Sequence, residues 1–268
     1  LAEDAKYVSM FDDDARLAAK IRHPAIFEVY DFGTSQGQHF LALVWIHGVS
    51  LGSIHDGVGA GGLPIPMILR ILADMAGALD YTHMLKDDAG CLLAVVHRDI
   101  TPPNIMIAFD GTVKLLDFGL AKARTQRSRT DTGFVKGRFR YLAPEQLEEG
   151  REPDWRVDIF ALGLCGYEAL TGRRLFDADD PTDAVRAVQL YESPPPIRDV
   201  RPEAPAELED LINRALAREP ALRYQSASRI QSALERMLEE KDPGFTRRRL
   251  KELLTALFPE LGGDPSRA

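Results

Sequence analysis

At 268 residues the chain is long enough for one large domain or two unequal lobes, taking about 150 residues per domain, and its 45% hydrophobic and 28% charged content excludes a disordered or fibrous polymer. The formal net charge of −8 argues against nucleic acid or an anionic membrane surface as a partner. Two distant cysteines, Cys91 and Cys165, form neither a disulfide framework nor a zinc-type cluster, which points to a reducing compartment, the cytoplasm. No apolar run reaches the ~18 residues that a membrane span needs, so no membrane contact is expected within this chain.

The acidic start from Leu1 to Asp14 lacks the layout of a secretory signal, and a first residue other than Met hints at missing residues upstream. Phe11, Ala15, Ala18 and Ile21 make an apolar helical stripe, and Asp14 lies on the same face, where a carboxylate needs a cation. The run Phe40 to Ile46, ended by His47-Gly48, reads as a strand buried on both faces, with helix the second choice. Gly57 to Gly62 satisfies G-x-G-x-x-G but follows no clear strand, so it reads as a flexible loop and not as a phosphate cradle.

Beyond Leu63-Pro64-Ile65-Pro66, the spacing of Ile68, Ile71, Leu72, Met75 and Leu79 predicts a long, well-buried helix. Ile105-Met106-Ile107 and Val113 to Leu116 flank Asp110-Gly111, a pair suited to a type I′ hairpin turn, which would bring the residues on either side of the hairpin together. From Asp154 onward the signals are helical: Ile159 to Leu170 is strongly apolar, and Leu208, Leu211, Ile212, Ala215 and Leu216 follow a Pro205 start. A last helix carries Leu250, Leu253, Leu254, Leu257 and Phe258 on one stripe, either docked on this helical half or opening a linker.

Three ordered motifs carry the chemistry: His97-Arg98-Asp99 with Asn104, then Asp117-Phe118-Gly119, then Ala143-Pro144-Glu145. This set, at these separations, resembles the eukaryotic-type protein kinase family. Asp-Phe-Gly also occurs at 31 to 33, but only the second copy follows the hairpin. The resemblance runs from about Phe11 to Glu235, and the strings at 14–19, at 89–96 and around Thr101-Pro102 look like its bacterial, especially myxobacterial, branch.

The resemblance implies magnesium-dependent transfer of the γ-phosphoryl group of ATP to a serine or threonine of a protein substrate, which needs an in-line hydroxyl and neutralisation of the triphosphate. It assigns Asp99 as the residue that orients the hydroxyl and takes its proton, and Asn104 and Asp117 as the metal-holding pair. Leu43 becomes the gatekeeper, Val44, Trp45 and Ile46 the hinge that offers backbone groups to adenine, and Met106 the floor. His97 becomes a packing residue, and Arg98 the cation that receives a phosphorylated loop residue. Between Gly119 and Tyr141, basic residues including Arg124, Arg127, Arg138 and Arg140 alternate with Thr125, Ser128, Thr130 and Thr132; phosphate on Thr130 or Thr132 is expected to order this loop through Arg98. Glu145 and Arg223 resemble a buried ion pair, and Asp158 with Gly163 resembles the start of a central helix.

The chain departs from the family pattern in three places. No glycine-rich loop and no Val-Ala-Ile-Lys strand precede the first helix, so Asp14, itself one methylene shorter than the family's glutamate, lacks its lysine, as in a fragment or a form that has lost part of the small lobe. Thr101 stands where serine/threonine kinases usually carry lysine, and Arg138 where threonine often packs against it. Val44 replaces an acidic residue at the start of the hinge. The expected fold is α+β, a two-lobe protein kinase fold divided into a partial small lobe (1–46), a mostly helical large lobe (47–240) and a C-terminal helix with a linker tail (241–268). The competing functional reading is a pseudokinase or scaffold without transferase activity.

Overall fold

The computed structural model describes residues 15–36, 38–58, 62–93, 95–117, 138–150, 152–178 and 180–262. Asp14, the second Phe-Gly at 118–119, and Thr130 and Thr132 lie outside the described residues.

Residues 15–20 form helix α1, whose Ala15 and Ala18, with Ile21 just beyond, are buried, as the apolar stripe requires. The next segment runs beside a later strand: Phe27 N–H donates to Leu115 O (3.0 Å) and Leu115 N–H to Ala25 O (2.9 Å). Strands β1 (Val29–Ser35) and β2 (Gln38–Leu43) then pair antiparallel, with Phe32 opposite Leu41.

The expectation of a strand buried on both faces from Phe40 to Ile46 is corrected here. Strand β2 ends at Leu43, Phe40, Leu43 and Val44 are exposed, and Trp45 is 84% exposed. The reason is that little covers the faces: among the described residues β1 and β2 form a two-stranded sheet that packs mainly on itself.

A second sheet, in the order β3-β4-β5, is built from Gly48–Ser50, Ile105–Ala108 and Val113–Leu115, all antiparallel. Gly48 opens β3 because a Cβ there would stand 2.4 Å from Ile107 O. The hairpin between β4 and β5 forms where expected, but its turn is not type I′. Among the described non-glycine residues φ is positive at Gln36, Arg98 and Asp117, so Asp110 does not meet that turn's demand, whereas Gly111 has φ +84°. Gly111 N–H donates to Ala108 O (2.9 Å) and Ala108 N–H to Thr112 O (2.8 Å), a three-residue loop with its left-handed residue last. Asp110 Oδ1 accepts from both the Thr112 amide (2.8 Å) and its hydroxyl (2.7 Å), which fixes that geometry.

Helix α2 (Leu51–Val58) follows β3 directly, so Gly57 and Val58, read above as loop, are its last residues. Helix α3 (Ile65–His83) starts at Pro64 and buries Ile68, Ile71, Leu72, Met75 and Leu79. Helix α4 (Arg156–Thr171) is buried on all sides, Asp158 and Glu168 included, and packs against α3 and α7. Around it stand α5 (Pro181–Gln189), α6 (Ile197–Val200), α7 (Ala206–Ala215) and α8 (Ala227–Lys241), the last lying along α3. Helix α9 (Arg247–Leu257) docks through buried Leu250 and Leu254. No described helix is long and apolar enough to cross a membrane. The fold is thus α+β, mostly helical after β3.

Candidate active site

The site is organised from below by one carboxylate. Asp158, in the first turn of α4, is 0% exposed. A buried charge must be paired or hydrogen-bonded or it costs several kcal/mol. Here Asp158 Oδ2 accepts from His97 N–H (2.8 Å) and His83 Nε2 (2.9 Å), and Oδ1 accepts from Arg98 N–H (2.7 Å). Two consecutive amides are thereby fixed, and Arg98 is held at φ +64°, a left-handed conformation that a long side chain adopts only under constraint.

His97 carries the constraint upward. Its buried ring accepts the Asp99 N–H at Nδ1 (3.2 Å) and donates from Nε2 to Leu116 O (2.8 Å), so a packing role fits it and a metal-ligand role does not. Leu116 N–H donates in turn to Asn104 O (2.8 Å), joining the end of the 97–104 segment to the far strand of the hairpin. The next residue, Asp117, is also left-handed, at φ +61°. The three polar residues of the first two motifs therefore converge: Asn104 Nδ2 donates to Asp99 O (2.8 Å) and Oδ2 (3.1 Å), and Asp117 follows the residue hydrogen-bonded to Asn104.

That donor set suits a hard divalent cation. Both N–H contacts found for the Asn104 amide are on Asp99, so its Oδ1 and the carboxylate of Asp117 are oxygen donors of the kind Mg²⁺ takes. Among the described residues there is no group of three or more His, Cys, Asp or Glu placed to hold a metal. Magnesium at phosphoryl-transfer sites needs no such cage, because one or two protein oxygens are completed by substrate phosphates and water.

The other expected site residues lie on the two sheets and the link between them. Leu43 closes β2 and Val44, Trp45 and Ile46 form the irregular link to β3, with Met106 on β4 paired opposite Ser50. The Val44 amide donates to Glu28 O (3.0 Å), so Val44 can offer a ligand its carbonyl but not its N–H. Arg98 Nε is buried without a hydrogen-bond partner. Arg140, expected in the basic loop, donates to Ala178 O (3.0 Å from Nε).

Glu145 and Arg223 are brought together in a buried bidentate pair, 2.6 and 2.8 Å. Arg223 is 0% exposed, and its remaining donors reach Ala217 O, Arg156 O and Arg218 O while the guanidinium lies over Phe160, 4.7 Å from the ring centre. The pairing of Tyr141 with Glu168 escaped the sequence reading. Tyr141 donates its hydroxyl to the buried Glu168 carboxylate on α4, and burial with that neighbouring charge pushes the phenol far above its usual range. Cys165 is fully buried on the same helix, and burial first, then Glu168, raises its thiol. A Tyr-Leu-Ala-Pro-Glu string and a glutamate late in an apolar helix were the available signals, but neither names the other as its partner.

Comparison with known proteins agrees with this geometry. The family described as protein kinase domain matches residues 3–236. The chain is 39% identical over 262 residues to the tyrosine-protein kinase MasK of Myxococcus xanthus, covering 97% of this chain and 40% of that protein. It is 35% identical over 250 residues to the serine/threonine-protein kinase PknB of Mycolicibacterium smegmatis, covering 91% and 38% respectively. With the serine/threonine-protein kinase PknA of Mycobacterium tuberculosis the identity is 36% over 230 residues, covering 84% and 50%. The chain thus spans half or less of the length of these relatives. With its motifs joined through Asp158 and His97, and a family match over most of its length, the chain belongs to the protein kinase domain family.

Proposed function

We propose that the protein transfers the γ-phosphoryl group of ATP to serine or threonine hydroxyls of a protein substrate. The observation that supports this most is the convergence of Asp99, Asn104 and Asp117 on one locus, held there by the Asp158 hydrogen bonds and by two left-handed backbone residues. Magnesium, when bound with ATP, neutralises charge on the phosphates and orients them for in-line attack. In this reading Asp117 and the Asn104 oxygen hold that ion. Asp99 accepts a hydrogen bond from the acceptor hydroxyl and takes its proton as the new P–O bond forms and the bond to the leaving ADP oxygen breaks. Adenine is received by backbone groups of Val44 to Ile46, beside Leu43 and above Met106.

Arg98 serves as the receiver of a phosphate on Thr130 or Thr132. Its buried, unpartnered Nε supports that role, since a buried N–H without an acceptor is costly and a phosphate oxygen would satisfy it. Residues 1–46 act as a partial small lobe, 47–240 as the large lobe and 241–268 as a C-terminal helix and tail. The substrate is a protein, met in the cytoplasm, and neither nucleic acid nor membrane is engaged by this chain.

A tyrosine acceptor is the second reading, favoured by the name of the Myxococcus relative and by Thr101, which stands where serine/threonine kinases usually place lysine. Phosphoamino-acid analysis separates the two. The gene product is incubated with radiolabelled ATP and a mixed peptide carrying Ser, Thr and Tyr. Label on Ser or Thr, abolished by Asp99→Asn, is expected; label on Tyr alone would replace the first reading by the second, and no label would overturn both.

A further inference from the structure

Residues 242–262 lie beyond the segment matched by the protein kinase family, which ends at 236. Most of them are exposed, but Phe245, Leu250 and Leu254 are buried against the rest of the molecule. Leu250 and Leu254 of α9 are fully buried, and a Cβ on Gly57 would come within 3.3 Å of the Phe258 ring. Arg247 O lies 2.0 Å from where a Cβ on Gly111 would stand, so α9 occupies space that only a glycine in the β4–β5 turn leaves open.

Past α9 the chain turns back, with Leu261 N–H and Gly262 N–H both donating to Phe258 O (3.2 and 3.1 Å). This turn presents Leu261 O to His47, whose Nε2–H donates to it at 2.9 Å. His47 directly follows Val44 to Ile46. Its ring lies 4.9 Å from that of Phe109, and its carbonyl accepts the Phe109 N–H (2.9 Å). One C-terminal segment therefore grips both the β4–β5 turn and the end of the hinge. A cavity of about 620 Å³, lined by Val44, Trp45, Lys114 and Lys251 among others, separates the rest of the hinge from α9. Restraint on the hinge consequently passes through His47 and not through side-chain packing along its length.

We propose that residues 242–262 form a strap that positions the nucleotide-binding hinge, with His47 as the positioning residue through which the strap acts. This rests on the nucleotide-binding reading of Val44 to Ile46 given above. The imidazole touches neither nucleotide nor acceptor; it sets where the hinge carbonyl and amides stand when ATP arrives. Loss of one neutral hydrogen bond corresponds to about a two- to tenfold weakening of ATP binding, with turnover and acceptor recognition unmoved.

The test compares the 268-residue chain with His47→Ala, with His47→Gln, whose amide can still donate to Leu261 O, and with a chain ending at Phe258. Amide hydrogen exchange at 44–47, thermal stability, and KM for ATP and for an acceptor peptide are measured in each. Several-fold faster exchange at 44–47 in His47→Ala and in the shortened chain, near-parental exchange in His47→Gln, and a raised KM for ATP alone are expected. Unchanged exchange at 44–47 in both disruptive variants would overturn the proposal, as would faster exchange spread evenly over the molecule with a matching loss of stability. Should no variant, nor the parent, transfer phosphate, the kinase reading fails on that arm while the exchange arm still decides the strap.

Discussion

Replacing Asp158 by asparagine changes one oxygen to an NH₂ group, yet it strikes the point where the segment carrying Asp99 is anchored. The carboxylate accepts three hydrogen bonds, from the amides of His97 and Arg98 and from His83, all within 2.9 Å and out of contact with solvent. Asparagine keeps a single acceptor oxygen, so at least one buried amide loses its partner and faces a second donor. An orphaned buried N–H costs about 1–3 kcal/mol, which sets the expected loss. Alanine would orphan both amides and release Arg98 from its left-handed conformation, adding about 1–3 kcal/mol more. Either figure is a large part of the roughly 5–15 kcal/mol that stabilises a typical domain. The assay is urea denaturation followed by circular dichroism, with hydrogen exchange at 97–99 as the local readout. An Asp158→Asn midpoint within about 0.5 kcal/mol of the parent, the range of an ordinary surface change, would refute the anchoring argument.

The buried Glu145–Arg223 pair should cost about 3–5 kcal/mol when Arg223 alone becomes alanine, because Glu145 is then a buried, unpaired charge; a double-mutant cycle with Glu145→Ala should lose less than the sum of its singles. His23 gives a pH dependence: burial first, and Lys114 second, hold its imidazole below the ordinary value of 6.5. Its neutral Nδ1 accepts the Ala25 N–H (3.1 Å). The unfolded chain therefore binds the proton more readily, so this contribution is complete above pH 6.5 and is lost as pH falls through the depressed folded value. Thermal melts from pH 7.5 down to pH 5 should show a decline that His23→Gln flattens. Asn104→Ala, which removes one proposed Mg²⁺ oxygen, should raise the magnesium concentration for half-maximal phosphate transfer about tenfold, and an unchanged magnesium titration would exclude Asn104 as a ligand.

Local signals were legible where a residue's role depends on its neighbours in sequence. The repeat from Ile68 to Leu79 gave helix α3, the apolar run from Ile159 to Leu170 gave α4, and Asp110-Gly111 located the β4–β5 hairpin. What remained hidden depends on partners distant in the chain. Strand β3 has three residues, too few for a period, and exists because β4 pairs with it. The apolar run ending at Ile46 looks like interior sequence, but burial depends on what covers a strand, and among the described residues little packs on the faces of that sheet. The motif residues Asp99, Asn104 and Asp117 could be named from the resemblance of their motifs to the protein kinase family. Their common anchor through His97 and Asp158, and the bond from Tyr141 to Glu168, needed the fold, because a carboxylate's partners carry no mark in sequence. The docking of α9 was left open for the same reason: its leucine stripe shows that a face is covered, not what covers it.

Phosphate transfer carried by the converged acids is the central claim, and intact-mass spectrometry of the gene product containing this chain tests it most directly. The protein is incubated with magnesium and ATP beside Asp99→Asn and Asp117→Ala variants of confirmed fold. Phosphate additions on the parent, mapping to Thr130 or Thr132 and absent from both variants, are the result expected. Equal phosphate gain in the variants, or none in the parent, would contradict the claim.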